Sequence, residues 1–119
     1  MRAIFIDDDR LLLETWETIF ENRDVSHLIA FVHSTNVEEA LNAIRRHNPE
    51  VIFLDHELTH RGNEGLEIVD RLKRNGDAVR IVSSTSRQDV FESYKALGVE
   101  EHVEKRDNKK MLEIILGKA

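Results

Sequence analysis

The feature that most constrains the fold is a regular alternation of short apolar runs with segments of helical period. Ala3 to Ile6 is an apolar run closed by Asp7-Asp8-Asp9, after which Leu12, Trp16, Ile19 and Phe20 recur at the spacing of an amphipathic helix. Leu28 to Val32 is a second run, and Thr35 or Asn36 can cap the following helix, whose buried stripe is Val37, Leu41 and Ile44. Pro49 interrupts the helical pattern, and Val51 to Leu54, rich in β-branched and aromatic residues, leads to Asp55. Gly62 and Gly65 predict a loop, and Leu66, Val69 and Leu72 a third helix that can stop at Gly76. Val79 to Val82 is a fourth strand ending in Ser83-Ser84. Val90, Phe91, Tyr94 and Leu97 line a fourth helix closed by Gly98, His102-Val103-Glu104 is a short fifth strand before Lys105, and Met111, Leu112 and Ile115 belong to a last helix.

Five β-α units in tandem imply a doubly wound α/β fold with right-handed crossovers. The successive apolar residues around Ile4, Phe53 and Ile81 are those of parallel strands covered on both faces. The 119 residues hold one domain and one ordinary core, so residues 1–119 are expected to act as one unit without an output domain. A net charge of −6 without a basic run speaks against direct DNA binding. The absence of cysteine excludes disulfides, thiolate catalysis and cysteine-ligated zinc. No apolar run has the length of a membrane span or a signal peptide, which predicts a cytoplasmic chain.

Ligands of such sheets bind beyond the carboxyl ends of the strands. Those ends carry Asp7-Asp8-Asp9, Asp55, Ser83-Ser84 and Lys105. Crowded carboxylates repel one another, and a hard divalent cation with oxygen ligands relieves the repulsion. A carboxylate beside such a cation can attack phosphorus, and an ammonium and a hydroxyl can stabilise the charge on the transferred group. Every role in that chemistry has a residue at a strand end.

The order of these residues resembles the receiver domain of two-component response regulators. Ile4-Phe5-Ile6-Asp7-Asp8 is similar to the acidic pair of the first strand, and Pro49 to Asp55 to the approach to the phosphoacceptor. Ile81-Val82-Ser83-Ser84 is similar to the hydroxyl motif of the fourth strand, and Leu97-Gly98 to Lys105 to the approach to the fifth-strand lysine. The resemblance implies a flavodoxin-like five-stranded parallel sheet of order 2-1-3-4-5 with five helices. It implies Asp55 as phosphoacceptor; Mg²⁺, or Mn²⁺, held by Asp7, Asp8, Asp55 and the backbone carbonyl of Glu57; Ser83 and Lys105 on the phosphoryl group; and Ser83 with His102 as switch residues. A histidine kinase or histidine phosphotransfer protein would donate phosphate to this self-modifying acceptor, which is not a turnover enzyme. The output would pass to an unidentified downstream protein, and dimerisation through the last two units is left open. The chain departs from the family pattern at Arg106, where a proline is usual, and in the loop His56 to Gly62.

Three other readings compete. His56-Glu57-Leu58-Thr59-His60 is a literal H-E-x-x-H match, but zinc-protease chemistry needs a helix through the motif and a third ligand. Asp7-x-Asp9 resembles the haloacid dehalogenase phosphatases, a scheme that leaves Asp55 without a purpose. A pseudo-receiver would keep the fold for protein contact alone, a reading that the altered loops at Glu57 and Arg106 favour. Trp16 reads as a packing residue, and His27, His33 and His47 as surface or strand-edge residues.

Overall fold

A computed structural model describes residues 1–55, 64–84 and 88–118. The elements in chain order are β1 (Ala3–Asp7), α1 (Arg10–Phe20), a single 3₁₀ turn (Ser26–Leu28), β2 (Ile29–His33), α2 (Val37–His47), β3 (Val51–Leu54), α3 (Glu64–Arg74), β4 (Arg80–Ser83), α4 (Gln88–Ala96), β5 (Glu101–His102) and α5 (Asn108–Ile115). The strands form one parallel sheet in the order β2-β1-β3-β4-β5, as the resemblance implies.

Strand pleating sorts the side chains between two cores. Ile4, Ile6, Ile52, Leu54 and Ile81 face α2, α3 and α4, where they meet Leu41, Ile44, Ile68, Val69, Phe91 and Tyr94. Ala3, Phe5, Val51, Phe53 and Val82 face α1 and α5, where they meet Leu13, Trp16, Phe20, Met111, Ile114 and Ile115. The second core is built around Phe5, whose ring stacks on Phe53 with centroids 4.5 Å apart and lies 4.9 Å from Trp16.

Local chemistry sets the helix ends. Asp9 caps α1 by accepting from the Leu12 N–H at 3.1 Å. Asn36, not Thr35, caps α2 by accepting from the Glu39 N–H at 2.8 Å. Asn48 closes α2 with a left-handed φ of 49°, a conformation that asparagine tolerates. Gly76 and Gly98 follow α3 and α4 at φ of 74° and 85°, which is the reason for glycine there.

The structure moves four boundaries. Gly65 lies inside the first turn of α3 and is buried, not in a loop. Leu28 belongs to the 3₁₀ turn. β4 runs from Arg80 to Ser83, and β5 shortens to Glu101–His102, since an edge strand pairs on one side only. No helix among the described residues is long and apolar enough to cross a membrane.

The Phe5 ring touches every large aromatic neighbour of its core. Phe5→Ala is expected to lower the unfolding free energy by about 3–5 kcal/mol, measured by urea denaturation.

Candidate functional site

Parallel strands bring all their carboxyl ends to one edge, and register decides which residues meet there. Ile6 pairs with Leu54, so Asp7 and Asp55 are the next residues of two adjacent strands. Both continue the α1/α5 face, Asp7 after Phe5 and Asp55 after Phe53. Both are buried, at 0% and 3% exposure. Asp8 is exposed beside them, and one carboxylate oxygen from each of Asp7, Asp8 and Asp55 lies within 4.8 Å of the others.

Lys105 arrives from the turn after β5. Its Nζ is 3.2 Å from Asp7 Oδ2 and 3.2 Å from Asp55 Oδ1, so one ammonium bridges two buried carboxylates. Asp7 Oδ2 has no other partner among the described residues, while Asp7 Oδ1 accepts from the Asp9 N–H at 2.9 Å. The Trp16 indole N–H donates to the Lys105 carbonyl at 3.1 Å, tying the lysine turn to α1.

The electrostatics follow from two negative charges sharing one positive charge in a desolvated place. Burial first, and then the charge of Asp55, push the Asp7 carboxyl up from 3.8 to about 6, although Lys105 and the Asp9 N–H pull the other way. Burial alone would lower the Lys105 pKa, but the Asp7 and Asp55 carboxylates outweigh it and hold the ammonium above its ordinary value. One cation therefore under-neutralises the pair. A cluster of three carboxylates with an unmet demand for positive charge fits a hard cation with oxygen ligands, Mg²⁺ or Mn²⁺.

Ser83 pairs in register with Leu54 and with His102, which places it on the α2/α3/α4 face, one pleat away from Asp55. Its hydroxyl is fully buried and has no hydrogen-bond partner among the described residues. Ser84, whose N–H donates to the Leu54 carbonyl at 3.0 Å, follows Val82 on the face of Asp55, and its buried hydroxyl is likewise unpaired among the described residues. Reading the strand end as a hydroxyl pair, with the pleat counted, would have given Ser84 equal standing. His102 is half-buried: its ring lies 4.8 Å from that of Phe91 and its Nε2 is 3.3 Å from Glu104 Oε1. Glu57, the carbonyl ligand implied by the resemblance, lies outside the described residues, as does the H-E-x-x-H run from His56 to His60. Trp16 packs in the core as expected; its bond to the Lys105 carbonyl has no signal in the sequence, since the partners are 89 positions apart.

The raised Asp7 pKa has a definite sign. A carboxyl that titrates near 6 when folded and near 3.8 when unfolded binds protons more tightly in the folded chain, so stability falls as pH rises between these values. The loss amounts to about 3 kcal/mol above pH 6, and urea melts without divalent cations are expected to show it. Asp7→Asn should flatten that part of the profile, and Mg²⁺ should recover stability at pH 7 in the unsubstituted chain.

Comparison with known proteins agrees with the fold. Residues 3–116 match the response regulator receiver domain. A response regulatory protein of Staphylococcus epidermidis, itself uncharacterized, is 28% identical over 102 residues, covering 86% of this chain and 38% of that protein. The chain thus spans well under half the length of the curated relatives it matches. Among solved structures, the N-terminal domain of an uncharacterized protein from Wolinella succinogenes superposes with a TM-score of 0.80 at 23% identity, covering 98% of this chain and 91% of that one. The chemotaxis protein CheY4 of Vibrio cholerae superposes with a TM-score of 0.74 at 15% identity, covering 98% and 97%. With the doubly wound sheet, the acidic strand ends and a match over nearly its whole length, the chain belongs to the response regulator receiver domains of two-component signalling.

Proposed function

We propose that Asp55 accepts a phosphoryl group and that the resulting charge changes a protein-docking surface. The observation that carries this reading is the Lys105 ammonium held 3.2 Å from both Asp7 and Asp55. An Asp55 oxygen attacks phosphorus, the O–P bond forms, and the P–N bond of a phosphohistidine or the P–O bond of an acyl phosphate breaks. The donor's imidazole or carboxylate leaves with the electron pair. Lys105, already charged and already beside Asp55, pairs with one phosphoryl oxygen without reorganisation. The Ser83 hydroxyl, unpaired among the described residues, donates to another. Asp7, Asp8 and Asp55 would hold Mg²⁺, with the Glu57 carbonyl as a fourth protein ligand; when bound, the ion neutralises charge on the phosphoryl oxygens.

The donor is a histidine kinase or a histidine phosphotransfer protein, and the acceptor cycles by its own hydrolysis and not as a turnover enzyme. Ser83 and His102, register partners on β4 and β5, transmit the change to the α4–β5 side by a shift between two conformers. A downstream protein, or a second copy of the chain, would read that side.

Incubation with acetyl phosphate and Mg²⁺ is expected to give one phosphoryl adduct by intact mass, which does not form when EDTA is present from the start and is absent in Asp55→Asn. Lys105→Ala should keep the adduct detectable but lower its yield by an order of magnitude or more, about the effect of removing one charge-stabilising donor. An adduct on Asp7 would instead indicate a phosphatase of the haloacid dehalogenase type. A folded chain that takes no phosphate would be a pseudo-receiver.

A further inference from the structure

One buried polar group has no part in the chemistry above. Tyr94, on α4, is 0% exposed and among the largest fully buried side chains, yet its hydroxyl has no hydrogen-bond partner among the described residues. An unmet buried hydroxyl is destabilising, and phenylalanine would fill the same space without that cost. Its surroundings suggest what the hydroxyl is for. Tyr94 belongs to the core that contains Leu54, Ile81 and Phe91. Ser83 lies on the same face, two residues beyond Ile81 and beside Leu54 in register.

Direction agrees with position. In a parallel β-α-β unit α4 runs back from the carboxyl edge of the sheet, and helical side chains lean toward the helix N-terminus. From the last turn of α4, that lean points the phenol of Tyr94 in the direction of the edge where β4 ends at Ser83. Burial, and secondly the negative charge of Asp55, hold the Tyr94 pKa above its ordinary value, so the phenol keeps its proton to donate. Two buried hydroxyls, Ser83 and Tyr94, thus occupy one side of β4 with their hydrogen-bonding capacity unused among the described residues.

We propose that Tyr94 is a positioning residue of the switch, its hydroxyl donating to Ser83 Oγ when Ser83 in turn donates to the phosphoryl group on Asp55. The inference rests on the phosphoacceptor reading. A serine hydroxyl can donate once and accept twice, so the chain Tyr94 to Ser83 to phosphoryl uses groups that each have capacity to spare. Each bond polarises the next, and added negative charge on Asp55 strengthens both. Before phosphorylation the unmet tyrosine is a cost; afterwards it becomes a gain, which biases the conformer equilibrium toward the modified state.

The test uses beryllofluoride with Mg²⁺ as the phosphoryl mimic, read by thermal melting and by the emission of Trp16, the single tryptophan, which is bonded to the Lys105 turn. Tyr94→Phe is expected to leave the melting point without the mimic unchanged or higher. Its affinity for the mimic should be about five-fold weaker than wild type, the size of one ordinary net hydrogen bond. In a Ser83→Ala background the same substitution should cause no further loss. Wild-type affinity in Tyr94→Phe, an equal loss in the Ser83→Ala background, or a fall in the unliganded melting point would each overturn the proposal. A wild-type chain that does not respond to the mimic would instead overturn the phosphoacceptor reading, and this inference with it.

Discussion

Two carboxylates and one ammonium, buried together at the carboxyl edge of the sheet, are the constraint on which the rest of the molecule depends. Asp7 and Asp55 cannot both be charged beside one another in a desolvated place without a cation between them, and Lys105 supplies it from the far end of the chain. The arrangement is not balanced, because one positive charge faces two negative ones; burial first, and the charge of Asp55 second, hold the Asp7 carboxyl above its ordinary range. That residual demand is what a divalent cation would satisfy. It also explains why the lysine turn is anchored by the Trp16 indole: an ammonium free to swing away would leave two uncompensated buried charges.

The sheet does more than collect these groups. Its pleat separates the acidic pair, which continues the α1/α5 face, from Ser83, His102 and Tyr94, which belong to the α2/α3/α4 face. β4 is the element where the two meet, since Ser83 and Ser84 are consecutive and fall on opposite faces. The end of one strand thus joins the face that carries Asp55 to the face that packs α4.

Much of this was legible in the chain itself. Alternating apolar runs and helical stripes specify parallel β-α units, and a parallel sheet sends every strand's carboxyl end to one edge, so Asp7, Asp55, Ser83 and Lys105 could be grouped before any coordinates. Element limits were less legible. Gly65 reads as a loop residue by propensity but is a buried residue of α3, and β5 is too short and too one-sided for its pattern to mark its ends.

Periodicity and residue type thus determined the fold class and the chemical inventory of the edge, because both depend on near-neighbour spacing along the chain. Register, pleat side and burial were decided only by the tertiary structure. Which of two adjacent serines shares a face with Asp55, how far the Asp7 carboxyl is displaced, that an indole holds the lysine turn, and that a tyrosine hydroxyl is buried without a described partner all depend on contacts between distant residues. Local sequence carries no record of such contacts, since desolvation and charge pairing are properties of the assembled edge and not of any one segment.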